Sequence, residues 1–401
     1  MTELERVLEV VPERVVAGGD ALARDPEGRV VMVPGVLSGE RVRVEITTSK
    51  KSFARARLVE VLDASPERVS PPCPYVASGC GGCDWQHVSP GAQRRLRREV
   101  VVDALTRIGK VSDAEALVSE PVALATEGYR TTVRVLVEKG RPAFRRAHSH
   151  DAVRVDACLV AHPLLDALLR HASFDGVTEV ELRCGAHTGE RLVLAHPTTR
   201  YLDLPDDVVR IGSDQLERGA TASYTEQAAG RRWRISARSF FQAHAEGAQV
   251  LAELVRAAVP DRAKSVVDLY AGVGLFAGTL ARAGRRVHAI EGNPTAVRDA
   301  RHNLRGLDVT VTRGDVARWE PEPADVVIAD PARTGLGAEV TERITGTGAG
   351  RVVLISCDAA ALGRDLGLFA GHGYRPRSVT PVDLFPHTSH VEVVTVLDRS
   401  T

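Results

Sequence analysis

Five short apolar runs constrain this chain more than anything else in it: Ser265–Tyr270, Val287–Glu291, Thr310–Asp315, Asp325–Asp330 and Val352–Asp358. They are rich in valine and isoleucine, and helix-compatible stretches separate them. Continuous runs of this kind are buried on both faces, which requires parallel pairing with helices covering the sheet. Residues 236–401 are therefore expected to form a doubly wound, Rossmann-like α/β domain. Sheets of this class hold their ligands beyond the carboxyl ends of the strands. At those ends stand Tyr270, Glu291, Asp315, Asp330 and Cys357.

The first run enters the turn Ala271-Gly272-Val273-Gly274. Its two glycines let backbone approach a ligand, but the third glycine of a pyrophosphate-binding turn is absent, which suits a cofactor without a pyrophosphate. Glu291, about 20 residues further on, is placed to accept both ribose hydroxyls. S-adenosylmethionine fits this pattern better than NAD, and Asp315 is placed to meet its adenine amino group. The fourth run ends in Asp330-Pro331-Ala332-Arg333. Arginine stands where an amine methylase needs a stacking aromatic, so methylation of an exocyclic amine is disfavoured.

Cys357 offers another route. A thiolate adding to carbon 6 of uracil turns carbon 5 into a nucleophile for a sulfonium methyl. The carbon 5 proton must then be removed, and Glu392, entering the last strand among Val391, Val393 and Val394, is a candidate base whose pKa burial raises. His387 and His390 compete for that role. A cytosine-directed enzyme would carry its cysteine in the slot that Pro331-Ala332 occupies.

The 401 residues, 44% hydrophobic and 26% charged, suffice for two or three domains. Formal net charge is zero, so a nucleic-acid partner has to be argued from local patches. The start carries no apolar signal core, and no stretch offers the roughly 18 uncharged apolar residues of a membrane span. A cytoplasmic protein without a membrane partner, acting as a monomer, is expected.

Three of six cysteines, Cys73, Cys80 and Cys83, crowd into one glycine-rich loop. That crowding in a large chain favours a metal over disulfides, with Cys158 a better fourth ligand than Cys184. Spacing alone leaves zinc and an iron–sulfur cluster equally open. The first 63 residues read as short strands punctuated by turns, a small OB-like barrel, with Lys50, Lys51, Arg55 and Arg57 as a basic stripe. Arg94, Arg95, Arg97 and Arg98 cluster on a helix expected over 90–110, which is able to pack on the C-terminal domain, and Arg130, Arg134, Arg141, Arg145 and Arg146 on strands beyond it. Such clusters suit phosphate oxygens.

Gly35-Val36-Leu37-Ser38-Gly39-Glu40-Arg41-Val42 followed by Phe53-Ala54-Arg55-Ala56 resembles a TRAM domain, an RNA-binding barrel. Phe240-Phe241-Gln242, Asp268 to Gly274, Asp330 to Arg333, Ser356-Cys357-Asp358 and Phe385-Pro386-His387-Thr388-x-His390-Val391-Glu392 resemble, in order, the RNA 5-methyluridine methyltransferases. The resemblance implies Cys357 as nucleophile, Glu392 as base, and Gln242, Tyr270, Gly272, Gly274, Glu291 and Asp330 around the cofactor or base. It also implies a 4Fe–4S cluster on Cys73, Cys80, Cys83 and Cys158, with zinc as the alternative. The expected organisation is a TRAM barrel over 1–63, a central α+β cluster domain over 64–235 and a class I methyltransferase domain over 236–401. The expected activity is methyl transfer to uridine carbon 5 in structured RNA. Ribosomal RNA is favoured, transfer RNA or a non-enzymatic RNA-binding iron–sulfur protein being the alternatives. Relatives commonly carry Asn where Asp358 stands, and a carboxylate there is expected to raise the thiol pKa.

Overall fold

The computed structural model describes residues 7–147 and 149–400, so the first six residues of the expected barrel lie outside the described residues. The N-terminal part is a six-stranded sheet in the spatial order Val7–Val10, Arg41–Ser49, Phe53–Asp63, Val30–Val33, Ala21–Arg24, Arg14–Val15. Alternation along these strands buries Val31, Val33, Val42, Val44, Ile46 and Ala54 on one face. Three register shifts bend the long hairpin formed by Arg41–Ser49 and Phe53–Asp63. Wholly buried Glu40 accepts hydrogen bonds from the Leu37 and Ser65 amides and pairs with Arg68, tying the sheet to the segment that leaves it.

The cysteine loop then leads into helix α1, Pro90–Arg107, which Ser89 caps by accepting a hydrogen bond from the Ala92 amide. Beyond it lies a second six-stranded sheet, in the order Val208–Gly212, Arg191–His196, Glu179–Cys184, Thr132–Glu138, Arg141–Arg145, Ala152–Arg154. The hairpin of Ser223–Ala228 and Arg231–Ser236 shares the core of the C-terminal domain, its Trp233 packing against Gly278.

The C-terminal sheet has seven strands: β1 Ser265–Leu269, β2 Arg286–Glu291, β3 Val309–Arg313, β4 Val326–Ala329, β5 Arg351–Ser356, β6 Tyr374–Pro381 and β7 Val393–Arg399. Their spatial order is 3-2-1-4-5-7-6. The first five pair in parallel, and β7 runs antiparallel between β5 and β6. Glu392 leads directly into β7, which lies in the interior of the sheet. The outer strand β6 is covered by the segment around Val118 to Val122, whose Ser119 and Val122 amides donate to Val379 and Pro381 carbonyls.

Helix α1 lies against helix α2, Ala359–Gly371, which comes after β5. The approach is close: a Cβ on Gly363 would stand 2.7 Å from the Ala104 carbonyl oxygen. No helix among the described residues is long and apolar enough to cross a membrane.

Several of the clustered arginines have acidic partners within the protein. Arg57 pairs with Glu45, Arg55 with Asp20, Arg95 with Glu67, Arg98 with Glu115, Arg134 with Glu181 and Arg145 with Glu179. Arg97 is buried. Sequence clustering could not distinguish a phosphate-binding stripe from arginines whose partners lie on neighbouring strands and turns.

Candidate active site

The strand order sets the site. Ser356 of β5 stands opposite Val393 of β7, so Cys357 and Glu392, the next residues outward, meet at the carboxyl edge of the parallel strands. Asp330 comes directly after β4, with Ala329 beside Leu354 of β5. Tyr270 comes directly after β1, and Glu291 ends β2. The polar ends scattered through the sequence thus form one row.

Three groups at the row's centre influence one another. Glu392, 4% exposed, is pushed well above the usual carboxyl range by burial and, second, by the charge of Asp330. Asp330 rises to about 7 through burial. Cys357, half-buried, is pushed up to about 11 by burial and then by Glu392 and Asp330, while Arg333 opposes the rise. Two carboxyls this strongly linked titrate as a pair and hold a proton near neutrality. A carboxyl so raised is a far better base for a carbon-bound proton than an ordinary one. Asp358, by contrast, does not act on the thiol as expected. Its side chain accepts a hydrogen bond from the Ala361 amide at 2.7 Å and caps α2.

The two histidines are held elsewhere. The His390 ring stands 3.2 Å from an Arg333 nitrogen and edge-on to Phe385. The His387 ring faces Gln93, 3.3 Å away. Burial lowers the pKa of both, leaving them neutral.

A cleft beside this centre is lined by Phe240, Gln242, Tyr270, Gly272, Phe276 and Asp330, among others. Tyr270 has φ 61°, a left-handed conformation that costs a bulky residue about 1–3 kcal/mol. It swings the chain from β1 into the glycine turn. Gly272 has φ 55°, and a Cβ there would meet nothing within 4 Å, so its backbone faces open space. Gly274 serves packing instead, since a Cβ would come 2.8 Å from Leu304. The Glu291 carboxylate accepts hydrogen bonds from the Gly272 amide at 2.8 Å and the Asn293 amide at 2.6 Å. Asp315 is exposed at the end of β3, accepts from the Ala317 amide, and its charge adds to the burial that pushes up the Tyr270 hydroxyl pKa.

Two residues named in the sequence only as parts of motifs stand out in the structure. Phe240 is 65% exposed at the cleft mouth, and only the apolar cost of such exposure marks it. Asp268 is fully buried beneath the glycine turn. One of its oxygens accepts from the Ala277 amide and the other lacks a hydrogen-bond partner.

Cys73, Cys80, Cys83 and Cys158 line a single cavity with Tyr75, Gln86 and Arg130. Cys184 lies apart, in the core of the central sheet. No group of three or more Cys, His, Asp or Glu among the described residues is arranged to hold a metal ion.

A seven-stranded sheet ordered 3-2-1-4-5-7-6, with a glycine turn after its first strand and an acid ending its second, defines a class I methyltransferase fold. Comparison with known proteins agrees. Residues 6–59 match the TRAM domain and residues 241–349 the methyltransferase small domain. An RNA methyltransferase of Streptomyces avermitilis is 36% identical over 419 residues, covering 96% of each chain. The 23S rRNA (uracil(1939)-C(5))-methyltransferase RlmD of Chromohalobacter salexigens is 33% identical over 434 residues, covering 97% of this chain and 89% of its own. The solved tRNA (uracil-54, C5)-methyltransferase of Pyrococcus abyssi, in complex with S-adenosyl-L-homocysteine, superposes with a TM-score of 0.72 at 22% identity, covering 97% of this chain and 99% of its own. This chain belongs to the same family of RNA methyltransferases.

Proposed function

We propose that the chain methylates carbon 5 of a uridine in structured RNA, through a covalent adduct with Cys357 and proton removal by Glu392. The observation carrying this reading is the meeting of Cys357, Glu392 and Asp330 at one point of the sheet edge. Bound S-adenosylmethionine supplies an electrophilic methyl group. Phe240, Gln242, Tyr270 and Asp330 line the cleft suited to it, with the open face of Gly272. Glu291 and Asp315, at the ends of β2 and β3, are assigned its ribose and adenine.

The Cys357 thiol gives its proton to solvent at the half-exposed sulfur as that sulfur bonds to carbon 6 and the double-bond electrons shift toward the carbon 4 oxygen, so the carboxyl pair, holding one proton, keeps one site free. Carbon 5 then takes the methyl. Glu392 accepts the carbon 5 proton, the ring double bond re-forms, and the electron pair of the S–C6 bond returns to Cys357. Burial excludes water from Glu392 and keeps its carboxyl basic.

Large-subunit ribosomal RNA is the favoured substrate, supported by the relative named for that activity; the target must leave its stack to reach the thiol. Cys73, Cys80, Cys83 and Cys158, which line one cavity, would hold a 4Fe–4S cluster, with zinc as the alternative. Its role is to order the central domain and the RNA path, not electron transfer.

The test is Glu392→Gln with in-vitro-transcribed ribosomal RNA and labelled S-adenosylmethionine. A methylated RNA–protein adduct surviving a denaturing gel, absent in Cys357→Ala, is the expected result. Product formation by Cys357→Ala would overturn the mechanism.

A further inference from the structure

The loop 383–391, which delivers Glu392 to β7, has almost no regular structure, yet its carbonyls are not left to water. Arg97 of α1, only 1% exposed, reaches into it. Its Nε donates to the His390 carbonyl at 3.0 Å, and one terminal nitrogen donates to the carbonyls of Phe385 at 2.9 Å and Thr388 at 2.6 Å. Its other terminal nitrogen pairs with Asp383 at 2.8 Å. One turn earlier on the same helix, the Gln93 side chain accepts from the His387 amide at 2.7 Å and donates to the Trp85 and Val88 carbonyls.

The cysteine loop joins the same clamp. The residue after Cys83, Asp84, accepts from the Ser389 amide at 2.9 Å, and the Trp85 amide donates to the His387 carbonyl at 2.9 Å. The N-terminal sheet presses in as well, since a Cβ on Gly19 would stand 2.4 Å from Ser389. The loop is therefore shaped from outside itself. His387 sits at φ 64°, a conformation that a free loop would abandon.

We propose that Arg97 is a positioning residue that holds Glu392 at Cys357, and that the cysteine loop, through Asp84 and Trp85, makes proton removal depend on the order of the central domain. This rests on the assignment of Cys357 as nucleophile and Glu392 as base. Only a guanidinium carries donors in a planar fork able to meet three carbonyls at once while its charge faces the Asp383 carboxylate. The ammonium of lysine cannot, although it keeps the charge. Loosening the loop moves the base without touching the thiol or the cofactor cleft. The bond between sulfur and carbon 6 should still form and methyl transfer still occur, but the carbon 5 proton should stay and the adduct persist.

Arg97→Lys and Asp84→Ala test this in the full-length protein, the second removing one exposed side chain whose loss the fold tolerates. Adduct formation is measured with ribosomal RNA transcribed with 5-fluorouridine, in which the carbon 5 substituent cannot leave as a proton. Release is measured with ordinary ribosomal RNA. Formation should stay within about twofold of the parent, as should the KM for S-adenosylmethionine, while release slows about 10- to 100-fold in Arg97→Lys and less in Asp84→Ala. An adduct that persists in Glu392→Gln but in neither variant overturns this inference alone. Absence of adduct in Glu392→Gln overturns it together with the assignment of the base. Formation slowed as much as release would make Arg97 a general structural residue and overturn the positioning role.

Discussion

The sharpest consequence of the site concerns the Cys357 thiol before RNA arrives. Burial and the Glu392 and Asp330 carboxyls raise it from 9.0 to about 11. Below pH 9 the thiolate fraction falls tenfold for each unit of pKa, so a rise of that size lowers it by about 100-fold, and by nearer tenfold once solvent at the half-exposed sulfur is allowed for. Cys357 should thus be an unreactive thiol in the free enzyme, with an alkylation rate by iodoacetamide that climbs without a plateau from pH 7 to 9. Glu392→Gln removes the larger of the two raising charges. Alkylation should speed up several-fold in that variant while methylated product disappears. Arg333→Ala removes a charge that lowers the pKa, and alkylation should slow. Mass spectrometry of the Cys357 peptide reads each rate. A rate already level between pH 7 and 8, or slower alkylation in Glu392→Gln, would refute the electrostatic account of the site.

Buried Asp268 is raised from 3.8 to about 8 by burial, with smaller contributions from Asp330 and Glu291. The folded protein keeps this proton where the unfolded chain has lost it, so stability falls as pH rises from about 4 toward 8, by about 4 kcal/mol at pH 7. Asp268→Asn cannot ionise, and its melting temperature relative to the parent should rise between pH 5 and 8; an unchanged difference would refute the assignment. For the cysteine cavity, Cys158→Ala should lose the iron and visible absorbance of the purified protein while Cys184→Ala keeps both. Equal loss in the two would remove Cys158 from the ligand set.

Much of the fold was legible because its signals are local. Continuous valine runs mean strands buried on both faces, and a glycine pair after such a strand means a turn that backbone can bring to a ligand; both depend on the chain within a few residues. Cys357 and Asp330 were readable because a strand's carboxyl end is the place where such sheets work. Glu392 was readable only in part. The valines around it announced burial, but nothing local records that β7 inserts between β5 and β6.

The partners of the arginines were hidden for the same reason. A guanidinium beside its neighbours in sequence looks like a phosphate clamp, and its acid stands on another strand. Arg97 looked like one of four basic residues on a helix, yet it is buried against a loop about 290 positions further along the chain. The sequence by itself determined the type of sheet, the glycine turn and the cysteine at a strand end, because these depend on side chains and dihedrals near one another in the chain. Tertiary structure alone decided that Cys357 meets Glu392 and Asp330, that four cysteines share a cavity, and that α1 grips the loop before Glu392. Those arrangements depend on strand order and helix packing, which join residues through space and leave no periodic trace along the chain.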